Sequence, residues 1–410
     1  MKLFNGPRAL LLGFTLAIAG TLCTSAMLAQ SETRAGCDGN SPQDIKRCLQ
    51  TFVDDESVIG LVTLVDTRGE TQVDAVGQFK PDSIFQIMSM SKPFVAAGIM
   101  MLVEQGKIPS VDSKVSALEG FETFPYPSVT VRQLLTHTSG MWFKREVATG
   151  TWHGIEPLLT NAFDKEPGTT ARDKPLAAVA AHYANAQFYP LDNAAGQFHY
   201  SNIGYLMLGW VIERLSGQPL EDFMRTKLFE PLQMKDTFYF PERATAGQRA
   251  RIAALDRRRP DPPDYKHYDP MRPGFVYASP AGGIYSTADD LRKFLSLFRD
   301  DGRTPGGTRV LQHSSILKLT IDQEPGDDFG CKGAFGRSLA FVVVRKGGCP
   351  GAPAYSPGTI FHRGRFSTEF WFDPRQDRIG ITLYQRVESE DYAFPPRRYL
   401  QELIKRFPAR

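Results

Sequence analysis

Between Ser91 and Gln105 the chain carries Phe94, Val95, Ile99, Met100, Leu102 and Val103, with no polar face at helical spacing, and the run stops at Gly106. A helix apolar on every side has to be covered on every side, so this segment predicts a central buried helix around which other elements are layered. Directly before it stands Phe85-Gln86-Ile87-Met88-Ser89-Met90-Ser91-Lys92-Pro93-Phe94, which sets a Ser-x-x-Lys across the helix start. A spacing of three puts both side chains on one face, one turn apart, so the Lys92 amine can reach the Ser89 hydroxyl. A serine hydroxyl becomes nucleophilic when a base takes its proton, and the unpaired N–H groups of a helix start suit an oxyanion. Taken alone, such a tetrad is more often an N-cap serine with a solvated lysine, so its partners have to decide.

At 410 residues the chain can bury a large core and hold two lobes. Lys+Arg 48 against Asp+Glu 45 leaves a net charge of +3, and 42% hydrophobic content excludes disorder, so no nucleic-acid footprint is implied. The dense basic run Arg257-Arg258-Arg259, between Asp256 and a proline-rich stretch, reads as an exposed loop. Lys2 and Arg8, the apolar stretch from Ala9 to about Leu22 and the small residues Thr24-Ser25-Ala26 have the pattern of a secretory signal. The domain reading is therefore a signal over residues 1–26 and a mature chain over 27–410, beginning near Met27 or Gln30. Gly20-Thr21-Leu22 is a poor lipoprotein box ahead of Cys23, which favours a soluble exported protein, periplasmic or secreted. Cys37, Cys48, Cys331 and Cys349 remain, and Cys37–Cys48 with Cys331–Cys349 is the simplest of three possible pairings. None has Cys-x-x-Cys spacing or a neighbouring histidine, so no metal is expected, and no cofactor motif is present.

Ile59 to Asp66 and Thr71 to Val76 are short β-branched runs about a Thr67-Arg68-Gly69 turn and predict a hairpin. Thr130 can cap a short helix that runs into Leu134-Leu135-Thr136-His137-Thr138-Ser139-Gly140. His137 there reads as a hydrogen-bonding brace, with general base as the less favoured role. Residues 142–196 are weakly periodic, as either a lid or a connecting loop would be. Tyr200 and Asn202 alternate across a short extended piece and so face the same way, ahead of a helix from about Tyr205 to Leu215. Pro280-Ala281-Gly282-Gly283 is a tight turn, and Ser286-Thr287 opens a further helix. Ser338–Arg345, Gly358–Phe361, Ser367–Asp373 and Arg378–Gln385 read as strands, and Tyr399–Phe407 as a closing amphipathic helix. Strands at both ends of a helical middle predict an α/β chain of the α+β type. Its antiparallel sheet (about 50–85 and 280–410) would carry an inserted, mostly helical lobe (about 86–279), with a site between them.

The motifs Ser89-Met90-Ser91-Lys92, Leu134 to Gly140, Tyr200-Ser201-Asn202-Ile203-Gly204-Tyr205, Ser279 to Gly283 and His362-Arg363-Gly364 stand in an order that resembles the class C β-lactamase and penicillin-binding-protein serine hydrolases. The resemblance runs from about Asp82 to Gln385 and implies a β-lactamase/transpeptidase-like fold. By position it makes Ser89 the acyl-accepting nucleophile, Lys92 and Tyr200 a proton-handling pair, and Asn202 a ligand for a substrate amide or carbonyl. It puts His362 and Gly364 along the substrate, and forms an oxyanion hole from the backbone N–H of Ser89 and of Arg365, on the strand after the His-Arg-Gly triplet. Lys92 would be the cation that makes the Tyr200 phenol more acidic. Where β-lactamases and carboxypeptidases of this fold usually carry Lys-Thr-Gly, this chain has His362-Arg363-Gly364, which resembles the esterase and D-peptide-hydrolysing branches. A histidine with a pKa of about 6.5 offers a carboxylate little charge at neutral pH and more below about pH 6. Neighbours on a strand face opposite ways, so Arg363 and Arg365 do not obviously replace the lysine. The expected substrates are therefore small carboxylic esters, amides or D-amino-acid peptides. A β-lactamase, a D-Ala-D-Ala carboxypeptidase or a non-catalytic penicillin-binding-like protein are the alternatives.

Overall fold

In this computed structural model the described residues are 37, 42–141, 145–146, 151–152, 175–184, 196–258, 277–323, 333–346 and 355–386. The expected hairpin is β1 (Gly60–Thr67) and β2 (Glu70–Gly77), with Thr67 opposite Glu70. Its two turn residues, Arg68 and Gly69, have φ of 52° and 87°, the left-handed pair that matches the twist of the flanking strands. Asp66 fixes that turn by accepting from Gly69 N at 3.0 Å and from Arg299 at 2.6 Å.

Short pairs follow: β3 (Phe85–Gln86) with the later β6 (Tyr285–Ser286), and β4 (Arg145–Glu146) with β5 (Thr151–Trp152). The remaining strands are β7 (Phe335–Arg337), β8 (Val342–Val344), β9 (Ile360–Gly364), β10 (Thr368–Asp373) and β11 (Arg378–Leu383). The main sheet is seven-stranded, in the order β2-β1-β11-β10-β9-β8-β7, and every pairing is antiparallel. The first hairpin thus joins the C-terminal strands through β1 and β11, where Val62 faces Leu383. The single strand expected over Ser338–Arg345 is instead a turn followed by β8. Ser338 Oγ accepts from Ala340 N and Phe341 N, and this side-chain turn breaks the ladder after β7.

The described helices are α1 (Pro42–Asp54), α2 (Lys92–Glu104), α3 (Val131–Leu135), α4 (Leu176–Tyr183), α5 (Asn202–Ser216), α6 (Leu220–Met224), α7 (Ala246–Arg249), α8 (Ala288–Arg299) and α9 (His313–Thr320). The apolar helix is α2, buried from Lys92 to Leu102 and ended by Gly106 at φ 72°. It packs against α5, α6 and α9. Its Phe94 stacks on Phe294 of α8 with ring centroids 3.7 Å apart, and α8 in turn lies on β1, β10 and β11. Aromatic pairs of this kind contribute about 1 kcal/mol beyond the area they bury, so α2 is tied to the sheet through α8.

Thr130 caps α3 as expected, in a reciprocal box with Gln133, and α8 starts where expected, with Thr287 as its cap. The sheet-based reading leaves out α1. Its Ile45, Cys48, Leu49 and Phe52 pack on Leu61, Val76 and Tyr384, and Cys48 is disulfide-bonded to Cys37. Cys331, Cys349, the signal segment, most of 142–196 and the closing helix lie outside the described residues, as does Arg259. Arg258 of the basic run pairs with Asp256 at 2.9 Å. Among the described residues no helix is long and apolar enough to cross a membrane.

Candidate active site

Ser89 sits in a 3₁₀ turn, Met88–Ser91, that leads straight into α2. Met88 before it has φ 50°, a left-handed conformation that a side chain this large holds only when its surroundings fix it. They do so from two sides. Ile87 N donates to Ile284 O at 3.0 Å and Ile284 N donates to Ser91 Oγ at 3.1 Å. From the sheet, Thr368 Oγ1 donates to Ile87 O at 3.2 Å, and Gly364 presses so closely on Ile87 that a Cβ at position 364 would overlap its carbonyl oxygen. Ser89 itself is half-buried, open enough to meet a substrate.

Lys92 Nζ lies 3.0 Å from Ser89 Oγ and donates to Ala281 O at 2.8 Å, in a site that leaves the lysine fully buried. Burial, and then the charge of Arg337, push the Lys92 pKa well below the usual lysine range. A lowered pKa makes the unprotonated amine, with its lone pair, easier to reach than in an ordinary lysine, and 3.0 Å from a hydroxyl that amine can act as a base. The same Nζ lies 4.9 Å from the centroid of the Tyr200 ring and 5.5 Å from that of Tyr205.

His137 is a brace. It ends the α3 turn at φ 61°, its Nδ1 accepts from Ser201 N at 3.0 Å, and its carbonyl accepts from His199 N at 2.8 Å. Its ring lies 4.5 Å from that of Tyr200, so it positions Tyr200 by backbone and ring together. Burial, Arg337, Lys92 and His362 lower its pKa well below 6.5, which leaves Nδ1 an acceptor.

Two expectations about local structure change. Asn202 is not on an extended piece with Tyr200 but is the first residue of α5, because Ser201 caps that helix by accepting from Gly204 N at 3.0 Å. Its Oδ1 is buried and has no hydrogen-bond partner among the described residues. Arg365 lies in the turn between β9 and β10 rather than on a strand, and Gly364 ends β9 against the Ser89 segment. His362 is buried with Nδ1 2.9 Å from Arg363 O, whereas Arg363 reaches Glu369 at 3.3 Å and the Phe361 ring, away from His362.

One electrostatic expectation changes as well. Burial, Lys92 and Arg337 lower the His362 pKa well below 6.5, so the histidine does not gain charge just below pH 6. Arg337 is a second basic group near Tyr200, beside Lys92. The Arg337 guanidinium carbon lies 4.5 Å from the Phe198 ring centroid and 5.7 Å from that of Tyr200. Arg337 is the residue that motif reasoning misses. It stands in Gly336-Arg337-Ser338, which carries no signature, and reaches the site only because β7 joins the sheet beyond β9.

If Lys92 is the base, kcat/KM must rise with pH as Lys92 loses its proton. The lowered pKa places that acid limb well below the ordinary lysine value of about 10.4. Removing a neighbouring positive charge favours protonated Lys92, so Arg337→Gln is expected to move the limb to higher pH. Profiles of both proteins from about pH 5 to 10 check this. A wild-type limb near 10.4, or one that Arg337→Gln leaves in place, would contradict it.

The sequence of residues 45–404 matches the Beta-lactamase family. The chain is 28% identical over 280 residues to the esterase EstB of Burkholderia gladioli, covering 59% of this chain and 66% of that protein. Among solved structures it resembles EstCE1, described as a hydrolase with promiscuous acyltransferase activity, with a TM-score of 0.67 at 18% identity over 88% of this chain and 97% of that one. It also resembles the D-amino acid amidase of Ochrobactrum anthropi SV3, with a TM-score of 0.63 at 20% identity over 88% and 98%. With a Ser-x-x-Lys pair in hydrogen-bond contact at the start of a buried helix, on an antiparallel sheet built from both ends of the chain, this protein belongs to the β-lactamase family of serine hydrolases.

Proposed function

We propose that this chain is an exported hydrolase that turns over small carboxylic esters or amides, D-amino-acid amides and peptides included, through an acyl-enzyme on Ser89. The observation that carries the reading is a lysine amine, fully buried and shifted toward neutrality, 3.0 Å from a half-buried serine hydroxyl. Lys92 takes the Oγ proton as Oγ attacks the substrate carbonyl carbon. The tetrahedral intermediate collapses by breaking the bond to the leaving group, which departs with a proton passed on through Tyr200. Water then cleaves the acyl–Ser89 ester by the same proton traffic in reverse. In this reading Asn202, first residue of α5, offers its amide to the substrate, and the N–H groups of Ser89 and Arg365 hold the oxyanion. Kinship with an esterase and likeness in fold to an amidase support the substrate range. The basic N-terminus before an apolar run, together with the Cys37–Cys48 disulfide, supports export.

A panel of p-nitrophenyl esters, D-amino-acid amides and nitrocefin, run on the purified protein and on Ser89→Ala, tests the reading. The expected result is turnover of short esters or amides at higher kcat/KM than nitrocefin. Preferred turnover of nitrocefin at neutral pH would make the chain a β-lactamase instead.

A further inference from the structure

We infer that His362 is a specificity residue that accepts a hydrogen bond from the substrate, so that preferred esters and amides carry an N–H or O–H donor on the leaving group. The inference rests on the Ser89 reading above and narrows its substrate class. The contact the ring already makes decides which nitrogen is available. His362 Nδ1 lies 2.9 Å from Arg363 O. A carbonyl oxygen has no proton to give, so Nδ1 carries the ring hydrogen and donates it. A neutral imidazole holds one such hydrogen, which leaves Nε2 with a bare lone pair. An ordinary histidine is mostly neutral at pH 7, and here burial first, and then Lys92, hold the pKa lower still. The residue is 4% exposed and makes no other hydrogen bond among the described residues, so Nε2 is a nearly buried acceptor still to be matched.

The strand register puts that acceptor on the wall of the site. His362 stands opposite Phe370 of β10, and residues opposite one another in an antiparallel pair share a face. The Phe370 ring lies 6.2 Å from that of Phe294 in α8, so the shared face is the helix side of the sheet, where Gly364 presses on Ile87. Arg363, between the two, turns to Glu369 on the other face. His362 is therefore two residues before Gly364 and about 7 Å from it along β9. It is close enough to His137 to help hold down the pKa of that ring, and the His137 ring lies 4.5 Å from that of Tyr200. Tyr200 is the group proposed to hand a proton to the departing atom, so His362 stands on the leaving-group side. A lone pair attracts a donor and repels an anion. A leaving group with no donor displaces water from Nε2 and leaves a nearly buried acceptor unpaired, which costs more than the bond itself is worth.

Three butyrate esters that differ in one substituent decide the matter. 3-Carbamoylphenyl butyrate offers an N–H, 3-acetylphenyl butyrate has a methyl group in its place, and 3-carboxyphenyl butyrate has an anionic oxygen there. Each kcat/KM is divided by the rate of the same ester with hydroxide, which removes differences in leaving-group acidity. At about pH 8 the wild type should prefer the carbamoyl ester by about tenfold over either of the others. In His362→Phe the carbamoyl-to-acetyl ratio should fall to about one, and His362→Lys, whose ammonium only donates, should turn the preference toward the carboxy ester. A ratio is internal to each protein and so does not depend on how much of a variant is active. Should neither variant fold, inhibition of the wild type by the released phenols reads the same contact, 3-hydroxybenzamide binding about tenfold more tightly than 3-hydroxyacetophenone. Equal turnover of the carbamoyl and acetyl esters by the wild type, equal inhibition, or an unchanged ratio in His362→Phe would overturn the assignment. A wild-type preference for the carboxy ester would overturn it as well, since the ring would then be donating. If no ester is cleaved and a fluorophosphonate does not label Ser89, the hydrolase reading fails and this inference with it.

Discussion

Replacing Ser89 with alanine is expected to abolish covalent labelling by a fluorophosphonate and to bring ester turnover to background, while the protein keeps its melting temperature within a few degrees. The hydroxyl is half-buried, and its removal takes one contact from Lys92, which retains its hydrogen bond to Ala281 O at 2.8 Å. Lys92→Ala and Tyr200→Phe should each cut kcat/KM by about a hundredfold or more, the usual worth of an acid–base partner. A hundredfold is about 2.7 kcal/mol of transition-state stabilisation. That exceeds the ~1 kcal/mol of an ordinary hydrogen bond, so a loss this large separates a chemical role from a merely structural one. Near-wild-type turnover by Lys92→Ala would remove the lysine from the mechanism, and labelling that persists in Ser89→Ala would place the nucleophile elsewhere.

Gly364→Ala should be nearly as damaging although it removes no functional group. A Cβ at this position would overlap the Ile87 carbonyl oxygen and Thr368 Oγ1, and the first of these is backbone that cannot rotate away. The strand end and the Ser89 segment must then separate, which shifts Ser89 against the Arg365 turn that begins at the next residue. A misplacement of about 1 Å at a reacting centre costs about a hundredfold, whereas overpacking of this kind costs about 1–3 kcal/mol of stability. The expected protein is therefore folded, somewhat less stable, and slow both to acylate and to label. Gly282→Ala is the control, because a Cβ there meets the Met88 backbone at an ordinary 3.5 Å. If Gly364→Ala acylates within about threefold of the wild type, the close approach of β9 to Ile87 is not what positions Ser89.

What the sequence makes legible here is what depends on near neighbours in the chain. The three-residue spacing of Ser89 and Lys92, the Arg68-Gly69 turn, the Thr130 cap and the helix start at Ser286-Thr287 are local, and each is found as read. Asn202 departs from the extended reading because a single side chain, Ser201, caps the helix and starts it at Asn202 instead of about Tyr205. The Ser338–Arg345 strand divides for a similar reason, a serine that satisfies two backbone N–H groups better than the ladder would. The charge balance of the site was illegible for a different reason. His362 and Lys92 have ordinary pKa values in a free chain, and only burial beside Arg337, which arrives on a distant strand, moves them. The helix α1 was readable in principle from the helical spacing of Ile45, Cys48, Leu49 and Phe52, but a strand-based account of the N-terminal region passes over it.

The pairing of β1 with β11 also bears on how the chain reaches its native state. The hairpin is synthesised well before β11, and the inner edge of β1 has no partner until Arg378–Leu383 has left the ribosome. Contacts between such distant segments are slow to form, and an unpaired β-branched edge is sticky while it waits. A chain built this way cannot close its sheet before Arg378–Leu383 is available to pair with β1. Until then the hairpin edge stays open and in need of protection from aggregation.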